Sequence, residues 1–342
     1  MALHVGRNPI GLAAYSFPWR CGFMGAGTDR VCQRPYDAHA LLELASYYNM
    51  ATVEIPLDII RDQSSTGLHE FRRRADSLGI HIVVDGAVID VAMLESLIPR
   101  AAALGAKVVR VMLSGMLEGA RATYPGGWEA HLTKQIAVLK QCRSLAESYD
   151  IIVAPENHQD LDSSDLVRIC DEVGGAHIGV TLDAVNPLAV AEEPIAFARA
   201  VGKRIVNVHL KDYTFHLTPQ GYKLVRCALG QGVLDVPALF AVLAEVAPQA
   251  TCNIELAALH ARHIRAWTPE WWGGYSRPYS IETLRPLWEY AAQHVSAADS
   301  ESCTPWEHGA DAVTLGAYEE SQCAQSVVYL RALMPHHTGG NR

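Results

Sequence analysis

Short runs dominated by Ile, Val, Leu and Thr alternate along the chain with longer stretches in which apolar residues recur every three or four positions. The short runs predict strands at residues 10–15, 52–55, 81–84, 108–113, 151–154, 177–182, 205–210 and 251–256. The longer stretches predict helices at 38–48, 69–78, 91–104, 129–149, 165–173, 194–201, 237–246 and 281–293. Leu41, Leu42, Leu44 and Ala45 form a stripe on the first helix, as Met93, Leu94, Leu97 and Ile98 do on the third. Gly79 and Gly105 stand just past two helices, where a left-handed cap is expected. Each strand is followed by one helix. Eight such units predict parallel strands closed into a (β/α)8 barrel. An open doubly wound sheet would want a G-x-G-x-x-G turn after its first strand, and none follows residues 10–15.

Three segments fall outside the eight units. The first, 18–35, is rich in Gly and aromatics; the second, 257–280, holds Trp267, Trp271, Trp272 and Tyr275; the third is everything after His294. Segments that follow strands one and eight of a TIM barrel emerge at its catalytic face. Within the third, 296–305 reads as a linker, 318–334 as a final helix and 335–342 as a disordered end. The expected organisation is a barrel over 1–294 and a linker with a helical tail over 295–342. The 342 residues, 49% hydrophobic and 19% charged, suffice for a sizeable core. Length alone leaves two domains or one enlarged barrel, and the eight units, by absorbing residues 10–293, favour the barrel.

Charge narrows the function. With 28 basic against 37 acidic residues the net charge is −9, and no basic block exists that could track a phosphate backbone, so nucleic acid is not expected as a partner. The eight cysteines form no C-x-x-C pair and read as reduced thiols. Gly6, Arg7, Asn8 and Pro9 interrupt any early apolar run, and no stretch of about 20 apolar residues occurs, so neither a signal peptide nor a membrane span is expected. The expected location is the cytoplasm.

Candidate chemistry gathers at four successive strand ends. Strands five to eight run into Glu156, Asp183, His209 and Glu255. The first three follow one another at the spacing of one strand–helix unit, and the last is displaced by an insertion at 213–226. A charge in a barrel interior is costly, so such residues face solvent or a site. One strand-end acid more often caps a helix or pairs with lysine; four in step point to a shared rim. Three carboxylates and an imidazole suit one divalent metal, Mn²⁺ first, with Mg²⁺, Co²⁺ or Zn²⁺ as alternatives.

The runs PENHQD (155–160), TLDAVN (181–186), HLKD (209–212), LGQGVLD (229–235) and NIE (253–255) resemble the xylose-isomerase-like TIM-barrel superfamily of sugar isomerases and epimerases. The likeness extends in element order over residues 10–293. It implies metal ligands at Glu156, Asp183, His209 and Glu255, with Glu156 and Glu255 also the acid–base pair. The implied reaction is isomerisation or epimerisation of a sugar by proton transfer through a metal-stabilised enediolate. Ketose 3-epimerases of the superfamily carry a histidine three residues after the aspartate and an arginine six after the histidine, where this chain has Asn186 and Phe215. The long aromatic insertion and tail are more like longer members, among them lyases and C-glycoside deglycosidase catalytic subunits. They imply the alternative of elimination on a keto-sugar, with a small partner subunit in a hetero-complex; a homo-oligomer is otherwise expected. Apurinic endonucleases of similar fold use more histidines and a basic surface, which this chain lacks.

Further residues are candidates for substrate binding. His158 can hydrogen-bond a sugar hydroxyl or merely orient a neighbour, and Lys211 can stabilise an oxyanion or pair with Asp212. Glu54 and Arg110 are substrate-binding groups or a buried ion pair, and Asn186 belongs with them. Trp271, within the aromatic segment, offers a stacking platform or lid for a sugar or glycoside, or packs on a neighbouring subunit. Gly230 and Gly232 read as a turn; His260, His263, His336 and His337 read as solvated. No G-x-S-x-G nucleophile motif competes.

Overall fold

The computed structural model describes residues 2–257 and 259–334. Eight parallel strands, Asn8–Ala13, Thr52–Pro56, His81–Val88, Val108–Met112, Ile152–Pro155, Val180–Asp183, Ile205–Leu210 and Thr251–Ile254, form a nearly closed barrel. Adjacent strands pair in chain order, and the last pairs with the first through Asn253 and Gly11. The seam between the fifth and sixth strands is spanned by bridges from Val153 to Ile178 and Glu156 to Thr181.

Helices fill the crossovers as the periodicity predicts, with ends shifted by a few residues. The second begins at Ser65, not residue 69, because Ser64 caps it by accepting from the Gly67 amide. The fifth begins at Ser163, behind a capping box between Asp162 and Asp165. Gly79 adopts the expected left-handed cap (φ 67°). One large core joins the outer faces of the strands to the inner faces of these helices, including Leu12, Val53, Leu94, Ile98, Leu166 and Leu239.

Two features depart from the expectation. The insertion after strand seven is a β-hairpin, Asp212–Thr218 with Gly221–Cys227, and Arg262–Ile264 joins it as a third antiparallel strand. Tyr213, Phe215, Tyr222 and Leu224 on this sheet build a second hydrophobic cluster with Trp271, Trp272, Leu284 and Leu287. The last helix starts at Ala312, where Asp311 caps it, and runs to Ala332. Its Cys323, Val327 and Leu330 enter the main core, so this segment is packed into the barrel body. The disordered end expected at 335–342, with His336 and His337, lies outside the described residues.

Candidate metal centre and active site

Side chains alternate in a strand, so residues two apart share a face. That rule carries Thr181 and Asp183, Asn207 and His209, and Asn253 and Glu255 into the barrel interior, where all six are buried or nearly so. At the C-terminal rim, ligand atoms of Glu156, Asp183 and His209 lie within 4.8 Å of one another. Nδ1 of His209 is 3.4 Å from Glu156 Oε1 and 3.8 Å from Glu255 Oε2. The four residues predicted to share a rim do so.

The opposite nitrogen of His209 is already engaged. Its Nε2 lies 2.7 Å from Glu54 Oε1, and Glu54 Oε2 accepts from Asn207 Nδ2 (2.9 Å) and Asn253 Nδ2 (3.0 Å). Thr52 and Thr251 extend this network through Asn253 Oδ1 and Asn207 Oδ1. Gly11 belongs to the same layer: a Cβ there would collide with Thr52 and Asn253. With Nε2–H held by Glu54, Nδ1 faces the carboxylates and is the nitrogen that would offer a lone pair to a cation on giving up its proton.

Arg110 and Lys211 supply the positive charge. The Arg110 guanidinium donates to Asp85 Oδ1 (2.6 Å) and Gly86 O (3.1 Å), and its other terminal nitrogen is ion-paired with Glu156 Oε2. Lys211 Nζ lies 2.5 Å from Asp183 Oδ2 and 2.6 Å from Glu255 Oε2. It does not pair with Asp212, whose carboxylate instead accepts the backbone amides of Tyr213, Gly230, Gly232 and Leu234. The G-x-G is thus a turn that wraps an anion of the chain itself.

Charge states follow from this packing. Burial raises Glu156, but Arg110 and His209 outweigh it and hold the carboxyl well below its usual range. Burial lowers His209, but Glu54 and Glu156 carry it well above the usual imidazole value. Lys211 is likewise held charged against burial by Asp183 and Glu255. Burial, with Glu255 and Glu156 adding to it against the pull of Lys211, pushes Asp183 up to about 7. His158, beside the cluster, is lowered to about 4, chiefly by burial, and its Nδ1 has no partner.

These residues fit a divalent cation. Five buried carboxylates, Glu54, Asp85, Glu156, Asp183 and Glu255, face two permanent cations, Arg110 and Lys211. Glu156 Oε1 and His209 Nδ1, 3.4 Å apart, make no hydrogen bond although buried, and Glu156 Oε2 and Glu255 Oε2 are met only by the ion pairs to Arg110 and Lys211. Oxygens held only by cationic side chains, and an imidazole that can exchange its Nδ1 proton for a cation, suit a hard or borderline dication.

Of the remaining candidates, Asn186 donates to Asp183 Oδ2 (2.8 Å) and accepts from Tyr213 Oη (3.4 Å). Trp271 is not brought to the rim cluster. It is buried against Tyr275 at 4.7 Å between ring centres, and its indole donates to Glu118 O. Phe215 is buried and stacks on Tyr222. Asp85, Asn207, Asn253 and Tyr15 were missed in the sequence. Period-two counting back from His209 and Glu255 reaches both asparagines; Asp85 is recognisable only once register sets it beside Arg110. A cavity of about 360 Å³ lined by Tyr15, Leu57, Asp58, Asp85, Met93 and Met112 opens next to this pair.

A parallel eight-stranded barrel with a carboxylate–imidazole cluster at the C-terminal ends of its strands defines the class. The chain belongs to the xylose isomerase-like TIM barrel family, whose model matches residues 42–273. A curated relative, 3-oxo-isoapionate decarboxylase of Pectobacterium atrosepticum, is 27% identical over 233 residues, 67% of this chain and 78% of that protein. Among solved structures, D-psicose 3-epimerase of Clostridium cellulolyticum H10, determined with D-tagatose, superposes with a TM-score of 0.62 at 12% identity, covering 94% of this chain and 99% of its own. The IolI protein with a bound zinc atom superposes with a TM-score of 0.56 at 15% identity over 84% of this chain and all of its own. These likenesses establish the fold. Among the described residues, no helix is long and apolar enough to cross a membrane.

Proposed function

We propose that this protein is a divalent-metal-dependent enzyme acting on keto-sugars by proton transfer, an isomerase or epimerase. The observation that carries the reading is the convergence of buried ligand atoms of Glu156, Asp183 and His209 within 4.8 Å of one another, with Glu255 Oε2 3.8 Å from His209 Nδ1. Glu156, Asp183, His209 and Glu255 would hold the cation, Mn²⁺ first given the oxygen-rich set. A bound dication would polarise a substrate carbonyl and its neighbouring hydroxyl and so acidify the C–H between them.

The chain's own groups supply the proton transfers. Glu156, kept ionised by Arg110, accepts the proton, and Glu255, 2.6 Å from Lys211 Nζ, relays one from that ammonium to the carbanion, after which Glu156 loses its proton to solvent and Lys211 regains one from it. Return to the same carbon from the other face epimerises the sugar; return to the adjacent carbon isomerises it. Glu54, Asn207 and Asn253 fix the imidazole, and Asn186 fixes Asp183, so the groups are oriented before substrate arrives.

A second reading is favoured by the 27% identical relative, which is named a decarboxylase. Loss of CO2 from a 3-oxo acid leaves the electron pair where C–H removal would leave it, so the same groups would serve. The test incubates Mn²⁺-loaded protein with ketoses and 3-oxo sugar acids in deuterated water, reading deuterium by mass spectrometry and CO2 by a coupled assay. The primary reading predicts deuterium uptake without CO2, abolished in Glu156→Gln and Glu255→Gln. CO2 release would replace it with the second, and exchange that survives both substitutions would remove the glutamates from the mechanism.

A further inference from the structure

Arg262 is a cation without a counter-charge among the described residues. Its side chain makes no hydrogen bond or ion pair among the described residues, and its Nε is sealed from solvent without an acceptor. The acidic groups that bind the residues on either side of it are committed elsewhere. Glu118 accepts from the His263 amide and pairs with Arg265, while Glu307 accepts from the amides of Ala261 and Thr304. Burying part of a guanidinium without a carboxylate is costly, so an arginine left this way is one whose partner arrives from outside.

Its position says where that partner would sit. Arg262 lies opposite Leu224 in the three-stranded sheet and shares the face of the fully buried Ile264, whereas His263 between them turns away to Thr218. Leu224 pairs in turn with Phe215, and Arg226 with Tyr213, so Tyr213 stands one row further along the same face; Glu118 joins the neighbouring segments, accepting the His263 amide (2.9 Å) and donating its own amide to Gln159 Oε1 (3.0 Å), next to His158. Tyr213 Oη touches Asn186, which touches Asp183, and His158 follows Glu156 by two residues. The sheet face that carries Arg262 therefore adjoins the rim of the metal-binding cluster. His158 Nδ1, buried and unpartnered, is a second vacant polar atom on the same side.

We infer that Arg262, with His158, forms an anion-recognising subsite beside the metal cluster, so that the substrate is an acidic sugar carrying a carboxylate or phosphoryl group. The planar fork of arginine matches either group through paired N–H donors. The charge selection is a property of Arg262, and its role in positioning a reacting sugar rests on the metal-centred reading above.

The test measures binding to the Mn²⁺-loaded full chain by calorimetry with three probes, D-fructose, 2-keto-D-gluconate and D-fructose 6-phosphate. Mn²⁺ affinity is titrated separately in wild type, Arg262→Gln and Arg262→Lys. The expected result is that an anionic probe binds wild type about tenfold or more tighter than D-fructose. Arg262→Gln erases that preference, Arg262→Lys restores part of it, and Mn²⁺ affinity stays unchanged in both. Whichever anionic probe loses more in Arg262→Gln identifies the group as carboxylate or phosphoryl. Equal or absent binding of the anionic probes, or a preference that survives Arg262→Gln, overturns the inference. A wild type that binds no Mn²⁺ but keeps an Arg262-dependent preference would leave the subsite standing and remove the metal reading.

Discussion

Glu54 is the residue through which the barrel interior acts on the rim. One of its oxygens takes the Nε2 side of His209, and the other is held by two asparagines, so neither the carboxylate nor the imidazole can rotate without breaking buried bonds. Partners of this kind fix the ligating nitrogen and raise its basicity, and their loss costs about 10- to 100-fold in metal affinity. Glu54→Gln, which keeps the shape but not the charge, is expected to weaken Mn²⁺ binding by that factor with far-ultraviolet circular dichroism unchanged. Unaltered affinity would reduce Glu54 to packing. Glu54 and Arg110 both entered as either substrate groups or a buried ion pair; they turn out to grip two of the predicted ligands, His209 and Glu156, and not each other.

At the scale of elements, the turn after the hairpin is organised by one side chain. Asp212 opens the strand Asp212–Thr218 and collects four backbone N–H groups, from Tyr213, Gly230, Gly232 and Leu234. A Cβ on Gly232 would collide with the Asp212 carboxylate and with Tyr213 O, which explains the glycine. Asp212→Ala would strand the buried amides of Tyr213 and Leu234, at about 1–3 kcal/mol each, and release those of Gly230 and Gly232 to solvent. A loss of about 3 kcal/mol or more, read by chemical denaturation, is expected, and a change below about 1 kcal/mol would contradict the arrangement. The eight barrel strands were legible because each is an apolar run bounded by polar turns, and their order alone implied the barrel. The hairpin was not, although Tyr213 and Phe215, and Tyr222 and Leu224, alternate correctly. Its third strand, Arg262–Ile264, lies far along the chain, and its apolar face is covered by the later Leu284 and Leu287. The four rim residues were legible for the reason the strands were. Their partners Asp85, Asn207 and Asn253 depend on register across the barrel, which one strand's pattern does not contain.

Across the whole molecule, the C-terminal helix Ala312–Ala332 ties the loop after the first strand to the floor of the site. Glu319, fully buried, accepts the amides of Trp19 (2.8 Å) and Arg20 (2.9 Å). Gln322 accepts from Arg226, which donates to Ser16 O; the Ser16 hydroxyl in turn joins Ile254 O and the Leu256 amide, on either side of Glu255. Glu319→Ala would leave two buried amides unpaired, at about 2 kcal/mol or more in total. It should also speed hydrogen exchange at Trp19 and Arg20 while leaving the central strands protected. Unchanged exchange at those amides would mean that the helix does not hold the loop.

The chemistry proposed for the site depends most on the rim cluster being a metal centre. Protein freed of metal by chelation and titrated with Mn²⁺, followed by calorimetry and by the electron paramagnetic resonance of the free ion, should bind one equivalent per chain. His209→Gln and Asp183→Asn should each lose that binding while keeping the wild-type circular dichroism spectrum. Absence of a stoichiometric site in the wild type, or full retention of it in both variants, would contradict the assignment of Glu156, Asp183, His209 and Glu255.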